Sequence, residues 1–145
     1  MSSTKQLCTF LLDDKLFGVA VDRVREVLRY QEMARIPLSP SVVTGLMNLR
    51  GQIVTAIDLR RRLGLQERPA SSFPVNVIVQ SDDAAVSLLV DEIGDVIEVT
   101  DDTFESPPDL LDGVSRELIF GVHKLPDRLL MLLNVDRAID VAPAA

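Results

Sequence analysis

The sequence predicts a mainly β protein made of two small β-barrels packed against each other, and three observations lead to this prediction. Hydrophobic residues make up 47% of the 145-residue chain and aromatic residues only 4%, so the core must consist of Leu, Ile and Val. Val and Ile favour strands. The chain also contains an internal repeat, and neither copy has a helix long enough to cover an open sheet. Small sheets of this kind hide their edges by closing or by packing together.

The first part of the repeat relates Phe10–Val27 to Val79–Val96. Both segments have the order strand, Asp-Asp, strand, and then Val-Asp before a final Val. The matched residues are Asp13-Asp14 with Asp82-Asp83, Val21-Asp22 with Val90-Asp91, and Val27 with Val96.

The second part relates Gly45–Leu63 to Gly121–Ile139, after a middle loop that is seven residues longer in the second copy. The matched residues are Gly45 with Gly121, Leu49 with Leu125, Asp58 with Asn134, and Leu63 with Ile139. The shared order of hairpin, acidic turn, glycine, strand and helix cap indicates a duplicated unit.

In the first copy, alternating apolar residues and turn formers set the elements. Asp13-Asp14 suits a tight turn, while Pro37 and Pro40 mark a loop. Ser41 is a candidate cap for one helical turn before Gly45. The predicted strands are Gln6–Leu12, Leu16–Val21, Val24–Arg29 and Gln52–Ile57.

A short helix over Leu59–Leu63 follows the last of these strands. Asp58 is a good N-cap for it, and Gly64 is a good C-terminal stop. Arg60-Arg61-Arg62 then forms the solvated face of this helix in the simplest interpretation.

The second copy repeats the pattern. Asp82-Asp83 is its first turn, Ser106–Asp109 lies in a long loop, and Pro126-Asp127 is the turn of a second hairpin. Asn134 caps a final helix through Ile139. The predicted strands are Val75–Gln80, Ala85–Val90, Asp95–Val99, Leu118–Leu125 and Arg128–Leu133.

Charge and targeting signals narrow the class of protein. The net charge of −7 disfavours general binding to nucleic acid. No apolar run is long enough to span a bilayer, and the N-terminus lacks the apolar segment of a signal peptide. Cys8 is the single cysteine, so no internal disulfide can form. We therefore expect a cytoplasmic protein, and Met1 and the Ala-Pro-Ala-Ala end favour a complete small one.

The sequence offers no convergent set of catalytic groups, cofactor motif or metal-ligand cluster. His123 is the single histidine; it lies in a strand and matches Met47 of the first copy. The Asp-Asp pairs are interpreted as solvated turn residues. An enzyme such as a β-barrel hydrolase would need a nucleophile and a base that the chain does not supply. We expect no enzymatic activity, no cofactor and no metal.

Arg50 is the most informative single residue. It lies between Leu49 and Gly51 at a turn, and the second copy has Pro126-Asp127 in place of Arg50-Gly51. Its role can be structural, through a carboxylate for which Glu26 is the best candidate. Its role can also be recognition of a partner, since arginine is common at interface hot spots. The two roles are compatible.

The segment Gly45-Leu-Met-Asn-Leu-Arg-Gly-Gln-Ile-Val-Thr-Ala-Ile-Asp-Leu-Arg60 resembles the characteristic segment of the CheW family, the adaptor proteins of bacterial chemosensory arrays. Val21–Val27 and Leu89–Val96 fit the same family in order and spacing. The resemblance extends from about Gln6 to Ile139. It implies a single domain over 1–145 with two SH3-like five-stranded barrels related by a pseudo-twofold axis. We place the first barrel at about 16–70 and the second at about 75–133, with exchange of terminal segments between them as an alternative.

The resemblance also implies a non-enzymatic function at membrane-associated receptor arrays. The receptor's cytoplasmic hairpin tip would enter a groove between the barrels, and the regulatory domain of a CheA-type histidine kinase would meet their outer faces. The receptor-side positions are Val24, Glu26, Val27, Gly45 and Arg50. The kinase-side candidates are Gly94, Val96 and Val99. The chain has only 141–145 after its last helix, so contacts through a longer tail are in doubt.

Two alternatives stay open at this stage. The chain can be a CheW-like regulatory module of a kinase or of a receiver-fused adaptor. It can also be the adaptor of a pathway that controls pili or a second messenger instead of swimming.

Overall fold

The computed structural model describes residues 4–37, 39–69, 71–81, 84–107 and 116–140. The strands in these ranges are β1 (Thr4–Leu12), β2 (Lys15–Ala20), β3 (Val24–Leu28), β4 (Val43–Leu49), β5 (Gln52–Asp58), β6 (Val75–Gln80), β7 (Ala85–Val90), β8 (Glu92–Thr100), β9 (Phe104–Glu105), β10 (Ile119–Lys124) and β11 (Leu129–Leu133). The α-helices are α1 (Leu59–Leu63) and α2 (Val135–Ile139), and 3-10 turns cover Val21–Arg23, Asp101–Thr103 and Arg116–Leu118. The predicted mainly β class is confirmed.

The strands form two sheets. One has five strands in the order β3-β6-β7-β5-β4, and the other has six in the order β8-β1-β2-β11-β10-β9. Most neighbours are antiparallel, but β5 pairs with β7 and β11 pairs with β2 in parallel. The sixth strand, β9, has only two residues.

The sheets do not follow the predicted division into 16–70 and 75–133. The five-stranded sheet combines β3, β4 and β5 of the first copy with the hairpin β6–β7 of the second. The six-stranded sheet combines β8 to β11 of the second copy with the hairpin β1–β2 of the first. Each copy therefore supplies its first hairpin to the sheet of the other copy.

The pairing registers of the two sheets match residue by residue. Val27 pairs with Val77 in the five-stranded sheet, and its repeat counterpart Val96 pairs with Cys8 in the six-stranded sheet. The parallel strands and the bulges next to Gly45 and Gly121 obey the same correspondence. The repeat found in the sequence is thus a pseudo-twofold repeat of the structure.

Apolar side chains fill three layers. The largest cluster lies between the sheets, includes both helices, and contains Phe10, Leu12, Phe17, Val19, Leu59, Leu63, Val77, Val79, Leu88, Val90, Leu118, Ile119, Val122, Met131, Leu133, Val135 and Ala138. A smaller cluster inside the five-stranded sheet contains Met47, Leu49, Val54, Ile78 and Ala85. Its counterpart in the six-stranded sheet contains Leu7, Val99, Leu130 and Leu132. Central strands bury both of their faces, because alternate residues point to the shared and the inner layers.

The predicted Asp13-Asp14 turn and the predicted caps of both short helices are confirmed. Asp13 and Asp14 both have positive φ (50° and 66°), as a tight two-residue hairpin turn requires. The Asp58 side chain accepts hydrogen bonds from the first-turn amides of α1, and Gly64 ends that helix at a φ of 78°. The Asn134 side chain accepts a hydrogen bond from the Arg137 amide, 3.1 Å away.

Other sequence predictions were wrong in detail. No helix forms at Ser41: residues 41–42 form a turn, and a strand missed by the sequence begins at Val43. The long second-copy loop contains β9, which was also missed because two residues give no periodic pattern. Strand β8 is longer than Asp95–Val99 at both ends. The turn at Asp82-Asp83, part of the loop up to Asp109, and residues 141–145 lie outside the described residues.

Gly45 and Gly121 lie where another segment crosses their strands. A Cβ atom on Gly45 would lie 2.6 Å from the Ala34 carbonyl oxygen, and one on Gly121 would overlap the Phe104 ring. Ala34 pairs with Leu46 through one isolated bridge, and the corresponding Glu105 pairs with Val122. Gly45 is therefore required by a close approach of the Ala34 backbone, and Gly121 by a close approach of the Phe104 ring.

A buried ionic network surrounds Asp91, the residue between β7 and β8. The Arg60 guanidinium donates to this carboxylate from Nε at 2.9 Å and also from Nη2. Arg68 Nε donates at 3.1 Å, and the Asp13 amide in the β1–β2 turn donates at 2.8 Å. The carboxylate thus joins α1, the segment after it and the first hairpin.

The interpretation of Arg60-Arg61-Arg62 as a solvated face was wrong for Arg60 and Arg62, whereas Arg61 is exposed. Arg60 is buried and bound to Asp91. Arg62 donates to the carbonyl oxygens of Arg137 and Ala138 in the last turn of α2, at 2.7 and 3.0 Å. A helix of five residues between two sheets has almost no free face, so these cations bind carboxylates and helix carbonyls.

The Asp91 network should make the protein sensitive to acid. Burial acts to raise the pKa of Asp91, but hydrogen bonds from Arg60 and Asp13 and the charge of Arg60 outweigh it and hold the pKa below its ordinary value. A lowered pKa gives stability that is complete above the unfolded-state value, about 4, and is lost as pH falls through the folded-state value.

We expect Asp91→Asn to lower the free energy of unfolding at pH 7 by about 2–3 kcal/mol, because two buried guanidinium groups lose their counter-charge. The loss should shrink as pH falls below about 4. Urea unfolding at a series of pH values measures both effects. Asp136→Asn, which removes a solvent-exposed partner of Arg23, is the matched control and should change little. An Asp91→Asn curve parallel to the wild-type curve at all pH values would contradict this account.

We expect Gly45→Ala to destabilise the protein by about 2 kcal/mol, because the new methyl group must displace backbone. Ile53→Ala, at an exposed position on the neighbouring strand β5, should change stability by less than about 0.5 kcal/mol. Chemical denaturation of both variants tests the difference. Equal denaturation midpoints for Gly45→Ala and wild type would contradict this expectation, because they would show that the segment at Ala34 moves away from the methyl group at little cost.

Candidate functional site

Arg50 lies at the tip of the hairpin formed by β4 and β5. Leu49 pairs with Gln52, so Arg50 and Gly51 are the two central residues of the turn. Their φ angles are 51° and 86°, and the Gly51 amide donates to the Asn48 side-chain oxygen at 2.8 Å. Positive φ at both positions is the requirement of a type I′ turn, which matches the twist of the strands.

The predicted pairing of Arg50 with Glu26 is confirmed. Arg50 Nη2 donates to the Glu26 carboxylate on β3. A second contact lies beside it, where Arg25 Nη1 donates to the Gln52 side-chain oxygen at 3.1 Å. Strands β3 and β4 are the two edges of the five-stranded sheet. These contacts join the two edges, so the sheet is strongly curved and the tip of the β4–β5 hairpin lies against β3.

The backbone at Arg50 is strained for an arginine. Asn, Asp or Gly is the usual residue at the first central position of this turn, because a Cβ atom at positive φ costs about 1–2 kcal/mol. The Arg50 side chain is 63% exposed, so its ion pair returns only part of that cost. An unfavourable residue held at an exposed tip favours a role in recognition.

The described part of β3 carries apolar and charged residues next to this tip, and Glu26 and Val27 point to opposite faces of the strand because they pair with Ile78 and Val77 in turn. Val27 is 44% exposed and Val24 is half-buried against the shared core. Glu26 lies at a bulge of the strand, between Val24 and Val27. Near the start of β3 lies an open groove of about 660 Å³, lined by Thr4, Lys5, Gln6, Ala20, Val21, Asp22 and Glu98.

Four of the five residues that the resemblance assigns to receptor binding are thus close together, and Gly45 is set apart. Val24, Glu26 and Val27 share β3, and Arg50 reaches them through Glu26. Gly45 is buried inside β4 against the segment at Ala34. The structure gives it a packing role that the sequence did not reveal, because crossing segments leave no local pattern.

The three kinase-side candidates lie on β8 in different environments. Val96 is 57% exposed. Gly94 packs against Thr9, whose side-chain oxygen lies 2.5 Å from the position of a Cβ atom. Val99 is buried with Leu7 and Leu130, so its side chain is not presented at the surface. Residue parity along the edge strand is what separates Val96 from Val99.

The pseudo-twofold repeat places equivalent apolar residues on both sheets, and sequence reasoning found Val27 and Val96 but missed Ile53 and Leu129. Ile53 and its counterpart Leu129 are exposed, as are Val27 and its counterpart Val96. The cation between them is not repeated, because Pro126 replaces Arg50, whereas Glu26 corresponds to the acidic Asp95. The signal that could have found Ile53 is its apolar character at an outward position of β5.

His123 has a structural environment. It is buried at the position equivalent to Met47, its Nδ1 lies 2.8 Å from the Thr103 hydroxyl, and its ring packs edge-on to Phe104. Burial, followed by the positive charge of Lys5, lowers the pKa of this imidazole. No group of three or more potential metal ligands occurs in the described ranges. In those ranges no helix is both long and apolar enough to cross a membrane.

Comparison with known proteins agrees with this geometry. A family profile described as "CheW-like domain" matches residues 6–142. The chain is 32% identical over 136 residues to a chemotaxis protein CheW of Treponema pallidum, covering 91% of this chain and 80% of that protein. It is 29% identical over 136 residues to the chemotaxis protein CheW of Bacillus subtilis, covering 94% and 87%.

A solved structure has the same fold. The crystal structure of the scaffolding protein TtCheW from Thermoanaerobacter tengcongensis matches with a TM-score of 0.86 and 27% sequence identity. The match covers 96% of this chain and 94% of that one. The two-sheet arrangement is therefore shared along nearly the whole chain.

We expect Arg50→Asn to leave the fold intact and to change the free energy of unfolding by less than about 1 kcal/mol, since relief of backbone strain offsets the loss of an exposed ion pair. Thermal and urea unfolding measure this change. Gly51→Ala, which introduces strain at the next turn position, is the control and should destabilise. A large loss of stability in Arg50→Asn would mean that the arginine chiefly holds the barrel closed.

Proposed function

Because the chain belongs to the family of CheW-like domain proteins, we propose that it is a non-enzymatic adaptor that couples chemoreceptors to a CheA-type histidine kinase. The observation that carries the proposal is the Arg50 turn, which holds an exposed cation in a strained backbone beside the apolar face of β3. The curated relatives are named as chemotaxis proteins, and the matched structure is named a scaffold. The proposed location is the cytoplasmic side of a receptor array.

The receptor partner is a helical hairpin tip that enters between the two sheets. Val24 and Val27 supply apolar contact area, and a helix laid on such a face gains burial energy. Arg50 supplies a charge with several donors at one end of that face, which fixes the register of the bound helix. Glu26 orients the guanidinium before the partner arrives.

The kinase partner meets an outer face that includes β8. Val96 is exposed there together with Ile93, which is 42% exposed. Gly94 lies between them, where only a residue without a side chain fits beside Thr9. Such a face suits a contact of moderate area, which an array would strengthen by multivalency.

The direct test is binding of the full chain to two purified fragments, a chemoreceptor cytoplasmic hairpin and the regulatory domain of a CheA-type kinase. Isothermal titration calorimetry with each fragment, followed by reconstitution of kinase control with both, gives affinity and coupling. We expect binding to each fragment and receptor-dependent kinase activity that requires the chain. Absence of binding to both fragments would overturn the proposed function.

We expect Arg50→Glu to weaken binding of the receptor fragment by at least about tenfold and to leave the affinity for the kinase fragment unchanged, because a repulsive charge enters the receptor side only. Calorimetry with each fragment measures the difference, after circular dichroism has shown a native fold.

The control is the exchanged pair Glu26→Arg with Arg50→Glu. It restores an ion pair within the chain but places the positive charge on β3. If Arg50 contacts the receptor, this double variant stays weak. Recovery of wild-type affinity would show that the ion pair alone matters.

A further inference from the structure

Asp91 occupies a crossing between the two sheets. Strand β7 of the five-stranded sheet ends at Val90, and β8 of the six-stranded sheet begins at Glu92. The other crossing lies at Val21–Arg23, between β2 of the six-stranded sheet and β3 of the five-stranded sheet. The backbone conformation at these two places sets the direction in which β3 and β8 leave the core.

Each crossing has an ion pair with a short helix, but the charges are reversed: the crossing residue is a carboxylate at Asp91 and a guanidinium at Arg23. At the first, Asp91 binds Arg60 on α1. At the second, Arg23 binds Asp136 at 2.8 Å, and Asp136 is the residue of α2 that corresponds to Arg60. Each pair therefore ties the helix of one copy to the end of the hairpin supplied by the other copy.

The ion pairs differ strongly in burial. The side chains of Asp91 and Arg60 are 17% and 10% exposed, whereas those of Arg23 and Asp136 are 33% and 75% exposed. Asp91 also binds Arg68, whose side chain is 8% exposed, and the Asp13 amide. Salt and water weaken an exposed pair much more than a buried one. The crossing that leads into β8 therefore carries the more buried of these two ion pairs.

The apolar layer between the sheets cannot by itself fix their angle. Apolar contact is non-directional, so burial in this layer stabilises the packed sheets without selecting a single angle between them. A planar guanidinium bound by two nitrogens to one carboxylate has a defined direction. Arg60 in addition donates from Nη1 to the Gln66 and Glu67 carbonyl oxygens at 3.0 and 3.3 Å, which fixes the guanidinium on its own side.

We propose that Asp91 is a positioning residue for partner binding, which sets the angle between the two sheets and so the width of the groove that receives the receptor hairpin. This proposal rests on the proposed function. Asp91 itself lies outside the described contact faces; its effect passes through the angle between the sheets, because its partners are Arg60 on α1 and the Asp13 amide in the first hairpin. The affinity for a partner that contacts both sheets should depend on the angle between them. The affinity for a partner that contacts the outer face of one sheet should not.

The test compares Asp91→Asn with wild type at a temperature where both are fully folded. We expect the affinity for the receptor fragment to fall about tenfold and that for the kinase regulatory domain to change by less than about twofold. A loss of global structure would lower both affinities together, so the split between the partners separates positioning from stability. Asp136→Asn, at the exposed crossing, is the matched control and should bind both fragments as wild type does.

A distance measurement provides a readout that needs no partner. Spin labels at Ile53→Cys and Leu129→Cys, in a Cys8→Ser background, place one probe at equivalent exposed positions of each sheet. Pulsed electron resonance should give a narrow distance distribution for the labelled wild type and for Asp136→Asn, and a broader one for Asp91→Asn. If Asp91→Asn does not fold, Arg68→Gln, which leaves the Arg60 contact in place, should show the same changes with smaller size.

The outcomes distinguish this proposal from the one it rests on. If the wild-type chain binds neither fragment, the proposed function fails, while the distance distributions still report on Asp91. If wild type binds both fragments but Asp91→Asn binds the receptor fragment equally well, or loses both partners equally, the positioning role is overturned. An unchanged distance distribution overturns it as well.

Discussion

The reciprocal exchange of hairpins is the constraint on which the rest of this structure depends. Strands β6 and β7 complete the sheet of the first copy, and β1 and β2 complete that of the second. Neither sheet can close without residues from both copies, so the apolar layer between the sheets is continuous and the chain folds as one unit. The two crossings and the buried network at Asp91 exist because the chain must pass from one sheet to the other after each hairpin.

The exchange also explains the arrangement of the site. Strands β3 and β8 are sheet edges, and each begins directly after a crossing. On an edge strand, one row of side chains is not covered by a packed layer. Val27 and Val96 are therefore exposed at equivalent positions. The hairpin tip with Arg50 then reaches the edge strand of its own sheet, and a cation is added to an apolar face. The second sheet has the same apolar residues but no cation at its turn.

Local signals in the sequence predicted the parts of the fold that depend on neighbours along the chain. Tight turns, caps and strand alternation predicted the β1–β2 hairpin, both helices and their capping residues, and the repeat predicted the duplicated architecture. The missing parts depend on residues that are distant in the sequence. Burial of Arg60 required Asp91 from the other copy, and the need for Gly45 arose from a crossing at Ala34. Exchange of terminal segments was an alternative at the level of the sequence, but strand periodicity could not select it, because paired strands in either arrangement have the same periodicity. The pairing of Arg50 with Glu26 was predictable, since a turn and an upstream strand with opposite charges had few other partners.

The hairpin exchange has a consequence for how such a chain arises. In the arrangement observed here, the sheet of one copy is completed by the hairpin of the other, so two separate copies with the same pairing would form an intertwined homodimer. Fusion of two genes would turn that dimer into a monomer without changing a single strand pairing, since the registers of the two sheets still correspond. In a homodimer every substitution appears twice, on both faces. Once the copies are fused, one turn can become Arg50-Gly51 while its counterpart becomes Pro126-Asp127. One symmetric molecule can thereby evolve two different faces for two different partners.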